Sequence, residues 1–150
     1  MTKRGWLGVG AAMVALVGAL VLYDALVITD EERLEAFVED VTGRLEPARV
    51  AAATDRWVDL ERQSLELSAL GESRRFDAGD EAELAERRQR ALARFMGDSL
   101  RALSTAIEVE DREARVTLRL LGTRTGMATA EWTLHKAGDD WLVQRLRVTR

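Results

Sequence analysis

From residue 103 to the C-terminus the alternation of polar and apolar residues has a period of two, and that period leaves few folds open. Val116, Leu118 and Leu120 alternate with Arg115, Thr117 and Arg119, and Ala128, Ala130, Trp132 and Leu134 alternate with Thr129, Glu131, Thr133 and His135. Successive side chains of a strand point to opposite faces, so each run reads as a strand with one buried and one wet face. Asp111-Arg112, the stretch from Gly122 to Gly126 and Ala137-Gly-Asp-Asp140 interrupt the runs with turn-forming residues. With strands over 103–110 and 141–148 at either end, the spacing predicts an antiparallel meander.

Upstream the period is helical. Thr29-Asp-Glu-Glu32 has the pattern of a capping box, and Leu34, Phe37, Val38, Val41 and Leu45 follow on one helix face until Gly43 and Pro47 end it. A second helix is predicted from Ala48 to Arg62, with Val50, Ala53, Trp57 and Leu60 on one side. Ser64–Leu70 reads as a short strand turned by Gly71, with Arg74–Asp77 returning. Asp80 with Glu83 then caps a third helix to Met96, whose apolar face is Leu84, Ala91, Leu92, Phe95 and Met96. Helices first and a sheet last make the domain α+β. Its expected core is Phe37, Trp57, Leu92, Phe95, Val116, Leu118, Trp132 and Leu134.

The N-terminus carries a different constraint. Trp6 to Tyr23 contains no charged residue and follows the basic pair Lys3-Arg4. As a helix, this run would span roughly 27 Å, close to the hydrocarbon thickness of a bilayer. A cleaved signal peptide, with Val17-Gly18-Ala19 before the cut, is the competing reading. The length of the run and its resumption after Asp24 as Ala-Leu-Val-Ile favour an uncleaved anchor. Basic residues before the span and Asp24, Asp30, Glu31 and Glu32 after it orient the chain N-in/C-out. The expected organisation is a short cytoplasmic tail over 1–5, a signal-anchor over 6–28 and an extracytoplasmic domain over 29–150, in the periplasm or its equivalent. Ala11, Ala15, Gly18 and Ala19 share one face of the span, as small residues commonly do in membrane helices.

Charge and cysteine content narrow the function. The formal net charge is −4, against the basic stripe of a nucleic-acid binder, and the chain has no cysteine and one histidine. Neither a disulfide nor a zinc site of the usual ligand set is available. Gly-rich phosphate loops are absent, and no cofactor is expected.

Ala130-Glu-Trp-Thr-Leu-His-Lys-Ala-Gly-Asp-Asp-Trp-Leu-Val143 resembles the closing hairpin of the nuclear transport factor 2-like superfamily. The order of elements over residues 30–150 is similar as well. That resemblance implies a cone in which a curved antiparallel sheet wraps a long helix and can leave a pocket. It leaves activity open, because the superfamily includes isomerases, dehydratases, cyclases and many non-enzymes.

Enzymes of that superfamily commonly place Asp, His or Tyr in the pocket. Tyr23 lies at the end of the apolar run. His135 is one step off the Trp132/Leu134 parity and is expected on the outer face. Asp55 and Asp59, four apart beside Trp57, are the best acid–base candidates, set against an ordinary charged helix face with Arg56 and Arg62. Asp77, Asp80, Asp139 and Asp140 read as turn or cap residues. Arg115, Arg119, Arg145 and Arg147 fall on the outer face with Glu131, a mixed salt-bridged surface and a candidate homodimer interface. The favoured function is a membrane-tethered, non-catalytic interaction module of a bacterial envelope assembly. In topology it is similar to the bitopic inner-membrane component of type IV secretion systems. The alternative is a small-molecule binder or acid–base enzyme using the cone pocket.

Overall fold

The computed structural model describes residues 28–150. The apolar run over 6–23, and with it the anchor, its orientation and the 1–5 and 6–28 boundaries, lies outside the described residues. Among those described, no helix is long and apolar enough to cross a membrane.

The order of elements is α1 (Asp30–Val41), β1 (Gly43–Arg44), α2 (Pro47–Trp57), β2 (Leu65–Ala69), β3 (Glu72–Phe76), α3 (Glu81–Phe95), β4 (Ser99–Glu110), β5 (Glu113–Gly122), β6 (Gly126–Ala137) and β7 (Asp140–Thr149). The capping box at the start of α1 forms in both directions. Thr29 Oγ1 accepts from the Glu32 amide at 3.2 Å, and Glu32 Oε2 accepts from the Thr29 amide at 2.9 Å. Gly43, at φ +91°, ends α1 in a left-handed conformation open to glycine. The Arg49 guanidinium folds over it and donates to the carbonyls of Glu39 at 2.6 Å and Arg44 at 3.3 Å. A cation on the last carbonyls of a helix offsets their partial negative charge.

The seven strands form one sheet in the order β1-β4-β5-β6-β7-β2-β3. The expected meander β4–β7 is present with antiparallel pairing throughout. The expectation of a wholly antiparallel sheet needs one correction, because β2 runs parallel to β7 through the register Glu66↔Arg145 to Ala69↔Val148. A parallel partner requires a long crossover, supplied by the whole chain between residues 70 and 139. Two register shifts bend the sheet: Leu103 is the extra residue in β4, and Gln144 the extra residue in β7.

The inner face holds the core. Val116 and Leu118 of β5, Trp132 and Leu134 of β6 and Val143 of β7 are buried against Leu34 and Phe37 of α1 and Trp57 of α2. Phe37 sits edge-on to two indoles, 5.2 Å from Trp57 and 5.5 Å from Trp132, the geometry that the ring quadrupoles favour. Truncating such a side chain to alanine costs about 3–5 kcal/mol. The hairpin β2–β3 closes one end with Leu65 opposite Phe76, both buried. Its turn is made by Leu70 and Gly71 at φ +54° and +84°, the paired left-handed residues of a two-residue hairpin.

Four further expectations are corrected. Helix α2 stops at Trp57 rather than Arg62, because Val58 is extended and Asp59 Oδ1 accepts from the amides of Glu61 (3.1 Å) and Arg62 (3.3 Å) in a turn of its own. Pro47 begins α2, where its missing N–H costs nothing, instead of closing α1. Asp80 makes no side-chain cap on α3; its Oδ2 accepts from the Asp77 amide at 2.9 Å. Phe95 and Met96 are exposed, so α3 buries Leu92 alone.

Candidate functional site

Between the helices and the inner face of the sheet lies a cavity of about 830 Å³. Its walls come from α1 and α2, Arg44 of β1, the β2–β3 hairpin, α3 and inner residues of β6 and β7. The deepest lining is apolar, with Phe37, Trp57, Leu65, Phe76, Trp132 and Val143 all buried. Half-buried aliphatics such as Val50, Leu67, Leu84 and Leu146 continue it outward. Exposed lining residues, among them Arg44, Arg49, Arg74 and Arg87, mark where the cavity meets solvent. A volume of this size with an apolar depth lies within the range of small-molecule sites.

Asp40, on α1, is the half-buried carboxylate of the lining. Its Oδ2 accepts from Trp57 Nε1 at 2.7 Å and from Arg56 at 3.0 Å. Those bonds hold the indole of Trp57 edge-on to Phe37, while the Arg56 guanidinium lies 4.8 Å from the same ring. The carboxylate anchors an aromatic wall.

None of the sequence-derived candidates lines the cavity. Asp55 is exposed on α2, and Asp59 lies beyond the helix end, occupied with its own turn. The early end of α2 is the reason the pair does not share a helix face. His135 is half-buried in register with Glu113 and Leu142, on the side of the sheet away from Trp132 and Leu134. The outer face forms charged cross-strand rows. Glu108 reaches Arg115 at 3.9 Å, Arg145 reaches Glu66 at 3.4 Å, and Glu131 stands in register with Arg147. Asp40 was hidden from sequence reading by its place among Glu35, Glu39 and other acids of an exposed-looking helix.

A second missed carboxylate is Asp98, which is fully buried. It accepts from the amides of Ser99 at 2.8 Å, Arg124 at 3.2 Å and Thr125 at 3.1 Å, and from the Thr123 hydroxyl. The Thr123 and Thr125 side chains and these amides hold its carboxyl well below the usual range, against a smaller opposing effect of burial. Its backbone is tied as well, since the Asp98 carbonyl accepts from the Leu45 amide at 2.8 Å. A Cβ on Gly122 would collide with Thr125 Oγ1 and lie 3.0 Å from Asp98 Oδ2, which explains glycine there. With every acceptor facing a donor from the β5–β6 turn, Asp98 is a structural pin away from the cavity.

No protein-family model matches the sequence, and no curated protein is significantly similar to it. Solved structures do share the fold. A Kribbella flavida protein is similar with a TM-score of 0.63 at 7% identity, over 80% of this chain and 89% of its own. A Nostoc punctiforme protein of unknown function with a cystatin-like fold gives 0.59 at 13% identity, over 81% and 92%. An NTF2-like protein with a cystatin-like fold from Novosphingobium aromaticivorans gives 0.58 at 17% identity, over 89% and 86%. The described domain thus has the NTF2-like, cystatin-like α+β fold, and at these identities the likeness extends to the fold alone.

Proposed function

We propose that the domain binds a small, mainly apolar ligand in its cone and does so without catalysing a reaction on it. The observation that carries this reading is the 830 Å³ cavity walled by buried aromatic and aliphatic side chains. Asp40, the carboxylate set deepest in that wall, is engaged by the Trp57 indole and by Arg56. An acid–base role would take it from both partners. Trp57 and Trp132 line the cavity and serve as built-in reporters. Titrating the full-length protein with the neutral apolar fluorophore Nile red is expected to raise dye emission while quenching tryptophan. Ala53→Phe, on the α2 wall, is expected to weaken both while leaving far-UV circular dichroism unchanged. Dye emission that rises equally in the Ala53→Phe protein would place the dye elsewhere and overturn the proposal.

A second reading, self-association as part of an interaction module, rests on the edge of the sheet. Strand β1 pairs only with Ser99 and Leu100 of β4. Beyond them the outer edge of β4 has no strand partner among the described residues, and Leu103 and Val109 are exposed. Such an edge is a template for another strand. Antiparallel pairing with β4 of a second copy, centred on Ala106, sets Ser104 against Glu108 and Thr105 against Ile107. It brings Glu110 of each copy to the Arg101 end of the other, so opposite charges meet. We place self-association on this edge in preference to the charged outer face. The proposed location, on the outer side of a membrane, is supported by the Trp6–Tyr23 run and its flanking charges.

A further inference from the structure

We infer that the ligand is an amphipathic anion, its apolar body in the cone and its carboxylate or phosphate head at the arginine rim. The inference rests on the cavity-binding reading above and adds to it a polarity and a charge. Five guanidinium groups line the cavity from four separate elements: Arg44 of β1, Arg49 of α2, Arg74 of β3, and Arg87 and Arg88 of α3. In a chain with a net charge of −4 this clustering of one sign runs against composition.

The neighbouring carboxylates do not neutralise it. Arg44 pairs with Glu46 at 3.4 Å, whereas Arg74 and Arg87 share the single carboxylate of Glu83, at 2.8 and 3.3 Å. Arg49 donates to two carbonyl oxygens, neutral acceptors that leave its charge intact. Arg88 is half-buried and has no hydrogen-bond or ion-pair partner among the described residues. Asp40 is committed to Trp57 and Arg56, and Glu72 is the other acid of the lining. Counting the partners just outside, six arginines face four carboxylates. Arg88 stands on the same face of α3 as Leu84 and Ala91, so its side chain belongs to the cavity wall rather than to the outer surface. The Arg88 side chain is half-buried with its nitrogens still open to solvent, and its planar fork suits the two oxygens of a carboxylate or phosphate. A head group bound there would leave an attached chain the apolar depth between Phe76, Trp57 and Trp132.

Brominated acyl chains test this directly, because bromine quenches tryptophan on contact. The full-length protein is used with Trp6→Phe, which leaves Trp57, Trp132 and Trp141 as emitters. A brominated long-chain fatty acid is expected to half-saturate at about one-tenth the concentration needed by the brominated alcohol of equal length. Arg88→Gln should remove most of that difference while leaving the alcohol unchanged, and added salt should act in the same direction. A brominated alkyl phosphate that binds more tightly than the acid would support the anion site and assign its head group to phosphate. Equal binding of acid and alcohol, or an Arg88→Gln protein with an unaltered preference, overturns the anion rim and leaves the cavity reading standing. Quenching by none of the three overturns both.

Discussion

Asp98 illustrates how a single side chain holds two distant stretches of chain together. Its carboxylate satisfies amides of the β5–β6 turn and of β4 at once, so the charged form is stabilised in the native state and not in the unfolded chain. A carboxyl with a depressed native pKa adds stability at pH values above its unfolded pKa, near 3.9, and loses it as the pH falls through the native value. Thermal melts of the wild type are therefore expected to fall in midpoint below about pH 4. Asp98→Asn should melt lower at neutral pH, because an amide nitrogen would face the N–H donors, and its melting point should change less on acidification. Parallel pH profiles for the two proteins would remove Asp98 from this role. Phe37 works in the opposite medium: it is buried, and its ring is wedged between Trp57 and Trp132, so the aromatic wall of the cavity and the core of the domain are one structure.

Among the elements, α3 and β4 depart furthest from what their residues alone suggest. Helix α3 has an apolar stripe long enough for a core helix, yet it buries only Leu92 and gives Leu84, Arg88 and Ala91 to the cavity wall. Phe95 in its last turn and Met96 just beyond it stand in solvent. Strand β4 is twelve residues long but is covered at its outer edge only at the start. The Leu103 bulge and the charges at Arg101, Glu108 and Glu110 limit indiscriminate pairing on such an edge, and they also define which antiparallel register suits a second copy. Light scattering of the full-length protein is expected to give a dimer that Ala106→Lys converts to monomer, since two ammonium groups would meet at the centre of the pairing. A dimer that survives this substitution would move the interface off the β4 edge.

For the molecule as a whole, the proposed location and the proposed ligand are linked. If the domain lies outside the membrane beside a span at 6–23, an amphipathic anion in its cone would meet the bilayer surface as a source or a destination. The link depends on the proposed topology. A C-terminal alkaline phosphatase fusion to the full chain is expected to be active, and the corresponding cytoplasmic reporter dark. The reverse pattern would place the domain inside the cell and remove this connection. The exposed part of the cavity lining carries Arg44, Arg49, Arg74 and Arg87, and its buried part is apolar.

The α+β class, the four-strand meander, the inner set Val116, Leu118, Trp132 and Leu134, the first capping box and the outer position of His135 were legible in the chain. Each follows from a local rule: a side-chain period of two or 3.6, or a donor and acceptor three residues apart. The candidate site was not legible. Its parts come from α1, α2, α3, the β2–β3 hairpin and two strands, and no spacing in a linear chain relates Asp40 to Trp57 or Arg88 to Arg49. Periodicity also cannot show where the surface opposite an apolar face ends, which is why Phe95 reads as core in sequence and is exposed in the structure. Asp98 followed the same logic, looking like a polar loop residue until folding brought the Thr123–Thr125 donors around it. Hydrophobic patterning specifies which face of an element turns inward, but the depth of burial and the partners of each polar group depend on what the rest of the chain places opposite it.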